Sequence, residues 1–105
     1  MIEVKSNNLK IEKGLIYFHA PWSGYSCANL VEFRKLVDEN LIMDAYMVNV
    51  DLDFEINRIM YQDGGIQGYG EIAIVNHGSL VQAIKYRNWD KLLVGQLILE
   101  TWKRI

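Results

Sequence analysis

Cys27 is the only cysteine in the chain, so any thiol chemistry must run through it. It stands at the head of an apolar-periodic segment, and a helix N-terminus favours an anion, which makes Cys27 a candidate monothiol site, reactive or open to modification. The plainer reading is a small apolar filler on the flank of that helix. Ser23, with His19 four residues before it, has the types of a nucleophile and a base. No nucleophile elbow, third orienting acid or oxyanion-hole glycine cluster accompanies them, so a hydrolase is not expected. His19, His77 and Cys27 come from separate segments and form a poor ligand set. Asp51, Asp53 and Glu55 alternate near a strand end and could attract Mg²⁺. A strand-end carboxylate, a helix cap and a first-turn charge account for them more simply. No metal and no cofactor is expected.

The bulk composition narrows the function classes further. The chain has 105 residues, 50% of them hydrophobic and 23% charged, which suits one soluble domain spanning 1–105 with a single core. Eleven Lys+Arg against thirteen Asp+Glu leave a formal charge of -2. The basic residues are scattered apart from Arg34-Lys35 and Lys103-Arg104, so there is no clustered patch to neutralise phosphates, and nucleic acid is not the expected partner. No apolar run approaches the roughly 20 residues of a membrane helix. Met1-Ile2-Glu3-Val4-Lys5 opens without a signal-peptide apolar region, and a single cysteine cannot close an internal disulfide. Both observations lead to a cytoplasmic expectation.

The elements that must hold these residues are legible from periodicity. Ile2 to Lys5 alternates as a short strand, and Leu9 to Lys13 has room for one helical turn. Leu15-Ile16-Tyr17-Phe18-His19-Ala20 is nearly continuous in apolar residues, as in a strand covered on both faces. Pro21 to Ser26 reads as a loop. Cys27 to Asp38 reads as a helix, with Leu30, Phe33 and Val37 on one side and Glu32, Arg34 and Lys35 on the other. Tyr46 to Val50 is the next buried strand. Asp53 is placed to cap a helix over Phe54 to Tyr61, with Ile56, Ile59 and Met60 inward, and Asp63-Gly64-Gly65 stops it. Glu71 to Val75 and Leu80 to Ile84 flank Asn76-His77-Gly78-Ser79 as an antiparallel hairpin. Asn88 would cap a last helix carrying Trp89, Leu92, Leu93, Leu97 and Trp102. The order β, β, α, β, α, β, β, α predicts an α/β protein, a central mixed β-sheet flanked by helices.

One stretch makes this pattern specific. Phe18-His19-Ala20-Pro21-Trp22-Ser23-Gly24-Tyr25-Ser26 resembles the F-W-A-P-W-C-G-P-C segment of the thioredoxin family. Val48-Asn49-Val50-Asp51 resembles the family's L-N-I-D, and Gly65-Ile66-Gln67-Gly68-Tyr69-Gly70-Glu71 resembles G-I-R-G-I-P-T, the loop bearing its cis-proline. Asn76-His77-Gly78 falls at the family's hairpin turn. The resemblance runs from about Gly14 to the C-terminus, with a shortened first helix and extra residues between Asp51 and Gly65, and it implies a thioredoxin fold.

It equally implies what has been replaced. Ser23 and Ser26 take the places of the two active-site cysteines, and a serine hydroxyl forms no disulfide. Tyr17 and Met47 take the places of the family's buried carboxylate and its neighbouring lysine. Gly70 takes the place of the cis-proline; a cis bond at a non-proline residue costs roughly 2.5–4 kcal/mol, so a trans bond is expected. Dithiol–disulfide exchange at Ser23 and Ser26 is therefore not expected. The family's peptide groove, carried over by alignment, consists of Trp22, Gly24, Tyr25, Tyr69, Gly70 and Glu71. Trp and Tyr are common binding hot spots, and backbone pairing with an extended peptide does not need cysteines. The expected function is a non-catalytic protein-binding module, an adaptor or an inhibitor or immunity-type binder whose partner the residues do not identify. The alternative is an atypical monothiol redox protein or sensor acting through Cys27. The apolar residues of the last helix exceed one narrow stripe, and the surplus could support a homodimer.

Overall fold

A computed structural model of the chain describes residues 1–6, 10–85 and 91–105. Five strands, β1 (Ile2–Val4), β2 (Gly14–His19), β3 (Ala45–Asn49), β4 (Glu71–Asn76) and β5 (Ser79–Lys85), form one sheet in the order β1-β3-β2-β4-β5. β3 runs parallel to both β1 and β2, β4 antiparallel to β2, and β5 antiparallel to β4. Two α-helices, α1 (Gly24–Glu39) and α2 (Lys91–Arg104), and a 3-10 helix over Glu55–Asp63 complete the described elements.

The apolar run in β2 is apolar because both faces of the sheet are covered. Its odd residues Leu15 and Tyr17 enter one core with Leu30, Phe33 and Val37 of α1 and Ile98 of α2. Its even residues Ile16 and Phe18 enter a second core with Val48, Met60 and Val75, beneath the 3-10 helix. Strand side chains alternate between faces, so a strand covered on both sides must be apolar throughout.

Several boundaries differ from the periodicity. α1 begins three residues before the expected start at Cys27, because Ser23 caps it: the Ser26 N–H donates to Ser23 Oγ at 3.3 Å, and the Cys27 N–H to the Ser23 carbonyl at 3.0 Å. Gly24-Tyr25-Ser26 looks like a loop by composition, yet one good N-cap suffices to draw it into the helix. β3 starts and ends one residue earlier than expected. The helix after β3 is of the 3-10 type, and its N-cap residue is Phe54 rather than Asp53, with no side-chain cap bond. Asn57 Nδ2 reaches back to the Leu52 carbonyl instead, at 2.9 Å. Residues 10–13 form no helical turn, and Leu9 lies outside the described residues.

The stop signal behaves as read, with Gly64 in the left-handed region at φ 86°. The hairpin turns through His77 at φ 52° and Gly78 at φ 72°, two consecutive left-handed residues that match the twist of the flanking strands. In α2, Ile98 and Thr101 are buried, while Leu92, Leu93 and Leu97 are exposed. Asn88 and Trp89 lie outside the described residues. Among the described residues no helix is long and apolar enough to cross a membrane.

Candidate functional site

The site forms where β2 and β3 end and β4 begins, beside the N-terminus of α1. Ser26 anchors it. Its side chain is fully buried, and its Oγ accepts the Ala20 N–H at 2.9 Å and lies 2.9 Å from His19 Nδ1. The Tyr17 hydroxyl lies 3.4 Å from the same oxygen and donates to the Ser26 carbonyl at 2.6 Å. Ser26 thus joins three groups, the Ala20 N–H, the His19 ring and the Tyr17 hydroxyl, and is closed to solvent and already hydrogen-bonded.

Tyr17 completes the closure from below. It is fully buried against Phe33, with ring centroids 5.3 Å apart. Its hydroxyl fills the space over Gly70, where a β-carbon would come within 2.0 Å of it. Gly70 has φ 88°, a left-handed conformation that glycine alone adopts readily, and its peptide bond is trans. The position that resembled the cis-proline is therefore a buried glycine beneath a tyrosine.

His19 sits at the rim, half-buried under α1. Burial lowers its pKa from the ordinary 6.5; the Arg34 charge lowers it further, and the Asp51 carboxylate partly opposes both. The neutral imidazole is consequently the favoured form beside Ser26. Ser23 is buried and spent as the helix cap. Cys27 is exposed, with its Sγ donating to the Pro21 carbonyl at 3.6 Å.

Above this closed interior the aromatic side chains remain open. Trp22 is 66% exposed and Tyr25 70% exposed. Trp22 Nε1 donates to Asp51 Oδ1 at 3.1 Å, and its six-membered ring packs on Gly68, where a β-carbon would lie 2.5 Å from Cη2. Tyr25 packs against half-buried Tyr69 with centroids 5.7 Å apart. Gly24 is exposed, with open space where a side chain would project.

Four of the six groove residues inferred by alignment thus present surface: Trp22, Gly24, Tyr25 and Tyr69. Gly70 is buried, and Glu71 is fully buried on the opposite face of the sheet, where Oε1 accepts the Gln67 N–H at 2.6 Å. Strand parity explains the difference, since Glu71 shares the face of Ala73 and Val75 rather than that of Tyr17. Its Oε2 is buried without a hydrogen-bond partner.

Three residues that alignment with the groove did not identify complete the site. Asn29 Nδ2 donates to the Tyr69 carbonyl, tying α1 to the loop that carries Tyr69 and Gly70. Asn29 stands four residues before Phe33 and so shares the buried face of α1, a spacing that could have marked it. Gly68 and Asp51 hold the two ends of Trp22, and only the contact itself reveals them. Asp51 thereby acts as a hydrogen-bond acceptor for an indole. Among the described residues no three His, Cys, Asp or Glu side chains gather as a metal site.

No family model matches the sequence, and no curated protein matches it. Solved structures do. Thioredoxin O2 from Arabidopsis thaliana superposes with a TM-score of 0.70 at 15% identity, covering 96% of this chain and 93% of that one. The oxidised thioredoxin of Plasmodium falciparum gives 0.69 at 18%, covering 96% and 97%. Mitochondrial thioredoxin 3 from Saccharomyces cerevisiae gives 0.66 at 17%, covering 100% and 95%. The chain has the thioredoxin fold. At these identities the likeness is one of architecture, and the chemistry must be argued from the site.

Proposed function

We propose that this chain is a non-catalytic thioredoxin-fold module that binds a protein partner through the aromatic surface of Trp22, Tyr25 and Tyr69. The observation that carries the reading is the contrast between the two levels of the site. Below, Ser26 Oγ is buried and hydrogen-bonded, and the Tyr17 hydroxyl occupies the space over Gly70. Above, a tryptophan and a tyrosine remain more than half exposed. Two hydroxyls in place of thiols offer no sulfur to attack a disulfide and none to resolve one. Exposed aromatics combine large apolar area with few rotatable bonds, which suits contact with another protein.

The exposed thiol of Cys27 supports a second reading, a monothiol site that forms a mixed disulfide with a client or with glutathione. One experiment separates the two. The wild-type chain, Trp22→Ala and Cys27→Ser are used as baits in affinity capture from a lysate, with and without reductant, alongside an insulin-reduction assay. The expected result is no insulin reduction above the buffer rate, and a captured protein that ignores reductant, survives Cys27→Ser and is lost with Trp22→Ala. Capture that disappears in reductant or with Cys27→Ser would overturn the groove reading in favour of the thiol.

A further inference from the structure

The same surface shows a chemistry for its occupant, an inference that rests on the protein-binding reading above. Trp22 is exposed but not loose: Asp51 Oδ1 holds the indole N–H, and Gly68 supports the six-membered ring. A plate fixed at two points loses little conformational freedom when something stacks on it. Asp51 is itself exposed, and the indole occupies only Oδ1; among the described residues Oδ2 has no hydrogen-bond partner and the carboxylate no ion-pair partner. A carboxylate with no ion-pair partner among the described residues therefore stands beside the edge of a fixed, exposed indole. Asp53, exposed two residues on, adds a further negative charge.

The loop opposite is poorly placed for main-chain pairing. The Tyr69 carbonyl is taken by Asn29 Nδ2, and the Gln67 N–H is taken by Glu71 Oε1. An extended segment laid along Gln67 to Tyr69 would find the Gln67 N–H engaged and one of the two acceptor sites of the Tyr69 carbonyl filled, which weakens main-chain pairing and shifts recognition here towards side chains. A guanidinium meets both features at once. It is planar, weakly hydrated, stacks on indole through cation–π attraction, and presents N–H donors to a carboxylate at its edge. We infer that this surface takes an arginine side chain of the partner protein, stacked on the Trp22 indole and hydrogen-bonded to Asp51 Oδ2.

The test follows the indole N–H resonance of Trp22 while the folded chain is titrated with acetyl-Gly-Arg-Gly-amide. The same peptide with citrulline, neutral and nearly isosteric, is the control. Asp51→Asn keeps an oxygen for the indole N–H and removes the charge. The expected result is a saturable shift in the millimolar range with the arginine peptide, about fivefold weaker or more with citrulline or with Asp51→Asn, and absent at about 1 M salt. Equal response to both peptides, or no saturable shift up to about 50 mM arginine peptide, overturns the inference. If capture of a partner nonetheless depends on Trp22, the protein-binding reading stands and only the arginine assignment falls. If capture does not need Trp22, both fall.

Discussion

The hydroxyl of Tyr17 stands 2.0 Å from where a β-carbon on Gly70 would lie, so each residue presupposes the other. The tyrosine can enter the core beneath the motif only because the loop residue that its hydroxyl meets lacks a side chain. The glycine is held at φ 88° in a loop that Asn29 ties to α1. Together they turn the space beneath the motif into packed interior.

Gly70→Ala meets both the tyrosine hydroxyl and an unfavourable φ, and is expected to cost about 2–4 kcal/mol. Tyr17→Phe removes a buried hydroxyl bonded to the Ser26 carbonyl and is expected to cost about 1 kcal/mol. The double variant should be more stable than the sum of the two by about 1 kcal/mol, because the phenylalanine removes the closest of the clashes with the methyl, although its ring carbon, 2.7 Å from the β-carbon position, must still give way. Urea unfolding of the four proteins measures the coupling. Strict additivity would show that the two residues do not meet.

Ser26→Ala deprives the Ala20 N–H and His19 Nδ1 of their shared partner. The loss expected is about 1–3 kcal/mol, at the upper end if no water enters to replace the oxygen. Ser23→Ala removes the N-cap and should cost about 1 kcal/mol. Denaturant midpoints rank the two, and a Ser23→Ala loss larger than that of Ser26→Ala would mean that the cap outweighs the buried node.

His19 sets a pH dependence with a definite sign. Its folded pKa lies below the ordinary 6.5, so the unfolded chain binds the proton more readily. Stability carried by this group is therefore complete above pH 6.5 and falls as the pH drops below 6.5 toward the folded value. His19→Gln removes that part of the slope. In a histidine NMR titration, Arg34→Ala should raise the His19 pKa and Asp51→Asn should lower it. Opposite movements would mean that other charges govern the ring.

Gly68→Ala tests the seat of Trp22. With φ 87° and a β-carbon 2.5 Å from Cη2, the variant must displace the indole, shift its N–H resonance and lose capture of the partner. Gly24→Ala is the converse case: its added methyl meets nothing within 4 Å. It is expected to add about 0.5 kcal/mol of stability by restricting the unfolded chain.

Much of this molecule is present in local pattern alone. The apolar run in β2, the helical spacing of Leu30, Phe33 and Val37, and the Asn76-His77-Gly78 turn each encode a backbone geometry within a few residues. Their order leaves few topologies, and the absence of sulfur at positions 23 and 26 is a matter of residue type. Boundaries were less legible where capping competes with composition, as at Ser23 and Phe54. The groove shows the limit clearly. Alignment placed Glu71 among the surface residues, but strand parity turns its side chain to the far core. Asp51 as the anchor of Trp22, Gly68 as its seat, and the packing of Tyr17 against Gly70 join residues far apart in the chain. No local propensity specifies contacts at such separations; they exist only once the sheet brings the ends of β2 and β3 and the start of β4 side by side.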